Sequence, residues 1–143
     1  TANIARAAGA KVIEHFSAPD EPKGKPYGIR YALEEIGDDL KNFDCIGIFD
    51  ADNLISIEFF NEMNSQMLSN PDIMVSQGYL DAKNVDGSIV SLGYSLSYYL
   101  SNRFFCFARN KLKLSPVIGG TGFVMDRKVI EEIGWTVNSL TED

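Results

Sequence analysis

The chain has 143 residues, of which 45% are hydrophobic and 23% charged, as in a soluble domain with its own core. Its net charge of −7 predicts no broad basic surface, so we exclude nucleic acid as a partner. No signal peptide and no apolar run of about 18 residues occurs, so the chain is expected to be soluble and cytoplasmic. Cys45 and Cys106 lack metal-ligand spacing and are expected to be reduced thiols.

The first part of the chain predicts helices and strands in alternation. Residues 2–8 favour a helix, and residues 11–16 alternate in the manner of a strand. After a polar loop, the second helix is predicted to begin at Pro26 and to end at Gly37, because apolar residues recur every three or four positions between them. The short apolar run 45–49 then predicts a buried strand.

Two aspartates follow this central strand directly. Asp50 and Asp52 are separated only by Ala51, and we expect the chain to turn here, at the end of a strand where open α/β sheets bind ligands. Two carboxylates this close repel each other unless a cation lies between them, and Mg²⁺ typically uses one or two carboxylates plus substrate phosphates. A solvated turn that merely closes the strand is the simpler interpretation, and both remain open on this stretch alone.

The second part of the chain continues the alternation. Ser56 is expected to cap a third helix, and residues 73–80 predict a further strand. The stretch 89–114 predicts a helix with six aromatic residues spread around it. We expect most of these aromatics to be buried in the core. Part of the helix is expected to pack against the acceptor channel, a membrane-surface segment of the parent or, by self-association, a second copy of the chain. The glycine-rich residues 119–122 precede a last strand, and Asp126 is expected to cap the last helix.

This alternation predicts an α/β sandwich with a largely parallel sheet. Three further groups could carry chemistry. Lys23 and Lys25 flank Gly24 before a helix N-terminus, where ammonium and backbone N–H groups can hold a phosphate. The glycines at 119–122 allow a backbone to approach a ligand closely, or simply a tight bend. The Thr-Glu-Asp tripeptide at 141–143 offers a second acidic pair.

Taken together, the Asp-Ala-Asp strand end, the Gly-Gly-Thr-Gly-Phe segment and the Thr-Glu-Asp tripeptide resemble the family 2 inverting glycosyltransferases with a GT-A fold. The match is closest to the membrane-associated group of cellulose, hyaluronan and poly-N-acetylglucosamine synthases. The resemblance implies a single partial catalytic domain over residues 1–143, incomplete at both ends, with a mostly parallel sheet flanked by helices. It implies inverting transfer from a nucleotide-diphospho-sugar, expected to be a UDP-sugar, to a saccharide, lipid-linked or other hydroxyl acceptor. The full-length parent is expected at the inner face of the cell membrane.

The resemblance also implies roles for individual residues. Asp50 and Asp52 look like the family's DXD motif, which implies Mg²⁺ or Mn²⁺ as cofactor, with Asp52 on the metal and Asp50 on metal or ribose. The donor-binding residues implied by the resemblance are Lys25, Asp50, Gly119, Gly120 and Thr121. Asp143 stands in the place of the catalytic base, and Glu142 is expected to position it or the acceptor.

Two departures and two alternatives accompany this interpretation. The family's first strand with its uracil-contacting aspartate is absent, as is the Gln-x-x-Arg-Trp motif of processive members, so the activity of this piece by itself is open. A phosphatase of the haloacid dehalogenase type would use Asp50 as its nucleophile, although Asn53 stands where that family has glycine. A GT-A-like domain that only binds a nucleotide or a partner is the non-enzymatic alternative. The acidic pair 38–39 rivals Asp143 as a base, but is expected at the amino end of the central strand.

Overall fold

The computed structural model describes residues 1–20, 22–115 and 117–136. Its helices and strands are α1 Ala2–Ala7, α2 Lys25–Ile36, β1 Cys45–Ile48, α3 Phe59–Ser69, β2 Val75–Gln77, α4 Ile89–Leu100, α5 Phe107–Lys111, β3 Phe123–Asp126 and α6 Arg127–Ile133. Short 3₁₀ helices form at Gly37–Asn42 and Val85–Gly87, and a π-helical segment, Ser101–Cys106, joins α4 to α5. The predicted helices and the three later strands are therefore present, with shifted ends.

The described strands form one sheet in the order β1-β3-β2, and β3 is antiparallel to both of its neighbours. The prediction of a largely parallel sheet is therefore wrong for this part of the chain. The connection through α3 brings β2 back in the same direction as β1, while the long connection after β2 delivers β3 in the opposite direction between them. The alternation of helix and strand predicts the layers, but it does not determine the direction in which a strand enters the sheet.

The core lies on the face of the sheet that α2 and α6 cover. The register pairs Ile46 with Met125 and Ile48 with Phe123, so these four apolar side chains point to the same side. Phe123, in the central strand, is only 3% exposed. The side chains that pack around this group are Ile29, Val75, Ile118, Val129, Ile130 and Trp135. The core is therefore centred on β3.

Helix α3 covers the opposite face. The register places Gly47, Ser76 and Val124 side by side on that face. Ser76 is 3% exposed, and its hydroxyl donates a hydrogen bond of 3.0 Å to the side-chain oxygen of Gln66 in α3. This bond satisfies a buried polar group that would otherwise be costly. Helices on both faces of the sheet agree with the α/β class expected from the sequence.

The strand predicted over residues 11–16 does not form. The carboxylate of Glu14 instead pairs with Arg6 of α1, and the ring of His15 stacks on Tyr31 of α2 with 4.5 Å between ring centroids. Glu14 and His15 thus contact two different helices, and neither lies in a sheet. Alternating polarity alone could not separate these two cases.

Residues 89–111, here called the helical arm, run through α4, the π-helical segment and α5. All of these residues are described, and none is buried; Tyr94 is 62% and Phe104 67% exposed. The expectation that most of the aromatics lie in the core is therefore wrong, because α2, α3 and α6 already cover the short sheet. Self-association through the arm stays a prediction. Across the described ranges, no helix is both long enough and apolar enough to cross a membrane.

Candidate active site

The chain turns sharply where β1 ends, as the sequence predicts. The backbone N–H of Asn53 donates to the carbonyl of Asp50 at 3.1 Å, which closes the turn. The N–H of Asp50 donates to the hydroxyl of Thr121 at 2.8 Å and lies 3.3 Å from the side-chain oxygen of Asn53. That amide oxygen of Asn53 also contacts the Thr121 hydroxyl. The first aspartate is therefore held in place through its backbone, independently of the contacts that its carboxylate makes.

That carboxylate meets the ammonium group of Lys25, with 2.8 Å between Nζ and Oδ1, and the same ammonium donates to the carbonyl of Gly120. Both side chains are about half-buried, at 31% exposed for Lys25 and 41% for Asp50. Lys25 is the first residue of α2, and the preceding Gly24 has a φ of 149°, which L-residues rarely adopt. The glycine therefore allows the helix to begin with its lysine directed at the strand end.

Gln77, the last residue of β2, holds the glycine-rich loop through hydrogen bonds. Its side-chain amide donates to the carbonyls of Thr121 at 3.0 Å and Gly122 at 3.2 Å, and its oxygen accepts from the N–H of Gly119 at 2.8 Å. A single side chain thus satisfies three backbone groups of the loop. The sequence does not predict this role, because a glutamine in a strand has no charge and belongs to no recognisable motif.

Asp52 lies on the other side of the turn. It is exposed, and its backbone carbonyl accepts a hydrogen bond of 2.8 Å from the ammonium of Lys83. Asp52 lines a cleft of about 540 Å³ that also contains Asn53. Asp50 therefore contacts Lys25, whereas Asp52 borders the neighbouring cleft.

Trp135 ties the chain after α6 to the start of α2. Its indole N–H donates to the carbonyl of Pro26 at 3.0 Å, and its own carbonyl accepts from the guanidinium of Arg30 at 3.1 Å. Pro26 is fully buried and follows Lys25 directly. The chain thus enters its last segment from beside the lysine that the sequence predicts to bind the donor.

The structure brings together four of the predicted site residues: Lys25, Asp50, Gly120 and Thr121. Gly119 lies at the edge of this group through its bond to Gln77, and Asp52 borders it across the turn. Glu142 and Asp143 lie outside the described residues, so their predicted role is untested.

The rival acidic pair at 38–39 lies at the opposite, amino end of β1, as expected. Asp38 pairs with Lys41 at 2.6 Å and Asp39 with Lys11 at 3.4 Å. The hydrogen bond from Lys41 and its positive charge lower the pKa of Asp38 below its ordinary value. A carboxylate with a lowered pKa is a weaker base, so Asp38 is poorly suited to general-base catalysis.

Within the described ranges, no group of three or more His, Cys, Asp and Glu side chains forms a metal cage. A magnesium-type site does not need one, because one or two carboxylates and the substrate's phosphates often complete it. Asp52 and Asp50 are hard oxygen donors of this kind, one exposed and the other about half-buried beside Lys25. The donor set therefore fits a hard divalent cation that arrives together with a diphosphate.

A family model described as "Glycosyltransferase like family 2" matches residues 1–143. The chain belongs to this family. Comparisons with curated proteins and with solved structures returned no match. Membership of this family supports a glycosyl transfer function, and it implies a nucleotide-sugar donor and an acceptor. The match spans the Lys25, Asp50 and glycine-loop segments that meet at the end of β1.

Proposed function

We propose that the chain transfers a sugar, with inversion and with Mg²⁺ or Mn²⁺, from a UDP-sugar to a saccharide or other hydroxyl acceptor. The observation that carries the proposal is the meeting of Lys25, Asp50 and Thr121 at the carboxyl end of β1. An ammonium, a carboxylate and a hydroxyl from three distant segments converge there beside a glycine-rich loop. Such a convergence suits a ligand that carries both phosphate and sugar hydroxyl groups.

The donor diphosphate would lie at the start of α2. This helix has twelve residues. Its first turn presents backbone N–H groups without a partner in the helix, and the positive end of the helix dipole lies there. The ammonium of Lys25 is the first side chain of that turn, and it would exchange part of its contact with Asp50 for a phosphate oxygen. The glycine-rich loop is then close enough for its backbone to border the donor sugar, with Gln77 holding its shape.

Asp52 and Asp50 would hold the divalent cation through their carboxylates. Bound there, the cation would neutralise the charge that builds on the departing diphosphate. Lys25 shares that task, because its ammonium already lies 2.8 Å from Asp50. The hydrogen bonds that the backbone N–H of Asp50 donates to the side-chain oxygens of Asn53 and Thr121 would keep the turn in place while the carboxylate and the ammonium exchange partners.

The acceptor hydroxyl must lose its proton as it attacks the anomeric carbon, because inversion is a single displacement. We assign this step to Asp143 as general base, with Glu142 positioning it or the acceptor. A base within about 3 Å contributes roughly 10²–10⁴ in rate. What supports the assignment is the resemblance, together with the anchoring of Trp135 beside Pro26, eight residues before Asp143 in the sequence.

Membership of the polysaccharide-synthase group, with a parent at the inner face of the membrane, belongs to the same proposal and rests on the motifs alone. The haloacid dehalogenase alternative has no support, since the family match covers all of the chain. A domain that binds the donor without transfer is the alternative that an activity assay decides.

The first test replaces Asp52 by Asn in the purified protein and measures the binding of UDP with Mn²⁺ by calorimetry. We expect the dissociation constant to rise at least about tenfold, because a charged ligand to the cation is lost. Asp86→Asn, in the short 3₁₀ helix Val85–Gly87, is the matched control and should bind like the wild type. Unchanged binding by the Asp52 variant would remove the cation from the proposal.

The second test replaces Asp143 by Asn. Binding of UDP with Mn²⁺ should be unchanged, while transfer of sugar from a UDP-sugar falls by about 10²–10⁴ because no base takes the acceptor's proton. Transfer at a rate near that of the wild type would show that Asp143 is not the base. Wild-type protein that binds the donor and transfers nothing would support the binding-only alternative.

A further inference from the structure

The helical arm turns a polar side toward the rest of the molecule. Five of its residues are half-buried and all the others are exposed; the five are Ser91, Ser95, Asn102, Cys106 and Arg109. Two of them make hydrogen bonds to the loop after β2. The hydroxyl of Ser95 donates to the carboxylate of Asp81 at 2.9 Å, and the side-chain amide of Asn102 donates to the carbonyl of Leu80 at 2.7 Å. Polar groups thus occupy the side on which a surface helix usually places its apolar residues.

The opposite side of the arm carries a stripe of large apolar side chains. Leu92, Leu96, Leu100 and Phe104 follow one another at four-residue intervals, so consecutive side chains of this set are neighbours on the helix surface. Each of them is between 46% and 67% exposed. Single apolar side chains are common on protein surfaces, but a contiguous group of them marks an interaction surface. The polarity of the arm is therefore inverted, and the stripe is expected to contact something apolar outside this chain.

Cations lie toward the carboxyl-terminal end of the stripe. No Asp or Glu occurs at residues 87–125, in a chain whose net charge is −7. The cations of this stretch are Arg103, Arg109, Lys111 and Lys113. Charges more than about 8–10 Å apart are largely screened at physiological salt, so this local excess of cations counts for more than the net charge of the chain. The surface therefore combines an apolar stripe with a preference for anions.

Two of these cations lie over aromatic rings of the arm. The guanidinium of Arg109 is 5.3 Å from the centroid of the Phe105 ring, and the ammonium of Lys111 is 5.4 Å from that of the Phe107 ring. Both rings are themselves about half exposed. Long basic side chains can bury their methylene groups in an apolar medium while the charged end stays in water. Charges held directly beside exposed rings suit the boundary of a lipid bilayer, where hydrocarbon chains adjoin phosphate groups.

We propose that the helical arm is a membrane-docking surface that lies in the plane of an anionic bilayer, with its apolar stripe among the lipid headgroups and its cations on lipid phosphates. The charges favour a bilayer over a second copy, because a second arm carries cations of the same sign and no carboxylate. The docking uses side chains of this domain alone and requires no membrane-spanning segment. It is independent of the proposed function, since it involves neither donor nor acceptor.

The test is co-sedimentation of the purified protein with vesicles of two compositions, phosphatidylcholine alone and phosphatidylcholine mixed with phosphatidylglycerol. We expect the protein to bind only the anionic vesicles, and less as the salt concentration rises. Lys111→Gln combined with Lys113→Gln should weaken this binding by about 10- to 30-fold, because each cation near an anionic surface contributes about fivefold. Lys23→Gln combined with Lys128→Gln is the matched control. It removes two exposed lysines outside the arm and should change binding by less than about twofold.

A second pair of variants tests the apolar stripe. Phe104→Ala should weaken binding to the anionic vesicles by about 5- to 20-fold, because a ring that would enter the bilayer is lost. Phe16→Ala, which removes a ring that is 83% exposed and lies outside the arm, should bind like the wild type. Both rings are exposed, so both variants are expected to fold.

Three outcomes with vesicles would overturn the inference: no binding to the anionic vesicles, equal binding to both compositions, or arm variants that bind as well as their controls. Sedimentation velocity without vesicles examines the second copy as the rival occupant. We expect a monomer. A dimer that Phe104→Ala dissociates would show that the stripe is covered by a second copy, and would contradict docking to a bilayer.

Discussion

The strand end that carries Asp50 and the helical arm at 89–111 are stabilised in different ways. At the strand end, Lys25, Asp50 and Thr121 come from segments far apart in the chain and are joined by one ion pair and by hydrogen bonds that involve backbone groups. In the arm no residue is buried, although all of its residues are described. The arm joins the rest through individual polar contacts such as the bond from Asn102 to Leu80.

The difference shows that the two regions contribute unequally to the core of the molecule. The core beneath the candidate site depends on β3, whose side chains pack against α2 and α6. The arm contributes surface rather than core, so its sequence can be adapted to a ligand with little cost in folding free energy. Substitutions of the same kind in the two regions should therefore have very different effects.

The largest contrast is expected between two phenylalanines. Phe123→Ala removes a ring that is 3% exposed and should lower the free energy of unfolding by about 3–5 kcal/mol, since it leaves a cavity in the core. Phe104→Ala removes a ring that is 67% exposed and should change it by less than about 0.5 kcal/mol. Urea unfolding monitored by circular dichroism gives both values. Equal losses would mean that the arm is part of the core.

A second contrast concerns two lysines near the start of α2, one in its first turn and one just before it. Lys25→Met should weaken the binding of UDP with Mn²⁺ by about 10- to 100-fold, because a charge-assisted bond to the diphosphate is lost. Lys23→Met, two residues earlier and exposed, should leave this affinity unchanged. Calorimetric titration of both variants makes the comparison. If the two variants lose affinity equally, this basic segment attracts the donor only through its overall charge.

A third contrast uses two glycines with opposite expected signs. A Cβ at Gly78 would lie 2.6 Å from the Phe59 ring and 2.7 Å from the carbonyl of Gly122, so Gly78→Ala should destabilise by about 1–3 kcal/mol. A Cβ at Gly93, inside α4, meets no atom within 4 Å. Gly93→Ala should therefore stabilise by about 0.5–1 kcal/mol, through helix propensity. Urea midpoints of equal sign for both variants would contradict this packing.

The smallest expected effect concerns the thiol of Cys45 in β1. Partial burial, with added repulsion from Asp126 and Asp44, raises its pKa above the ordinary value for cysteine. A raised pKa means less thiolate at pH 8, so iodoacetamide should alkylate Cys45 a few-fold more slowly than a cysteine in a short peptide. The rate should still be rising with pH where the peptide's rate has levelled. The measurement uses the Cys106→Ser variant, and a rate equal to the peptide's would refute it.

The sequence predicted those parts of the site that rest on charge and spacing. Lys25, Asp50 and Thr121 each stand in a recognisable segment, and the structure brings them together. The support that Gln77 gives to the loop was not predictable, because it depends on three backbone groups that only the folded chain brings within reach. The same holds for the tryptophan anchor at Pro26.

The fold was predictable as a set of elements but not as an arrangement. Hydrophobic periodicity identified α2 and the strand β1 because one face of each is apolar. It could not give the direction of β3, which depends on where the long connection after β2 returns. It also placed the aromatics of 89–114 in the core, because apolar composition shows that a side chain favours burial but not whether a partner surface is present.

The contact between Trp135 and Pro26 also supplies an optical probe. The chain contains one tryptophan, and its indole donates to the carbonyl next to Lys25 while its ring packs against the core. An indole's emission responds to nearby charge and to its exposure to water. The intrinsic fluorescence of the unlabelled protein should therefore report donor binding as a change in intensity and unfolding as a red shift, from the same residue in the same sample.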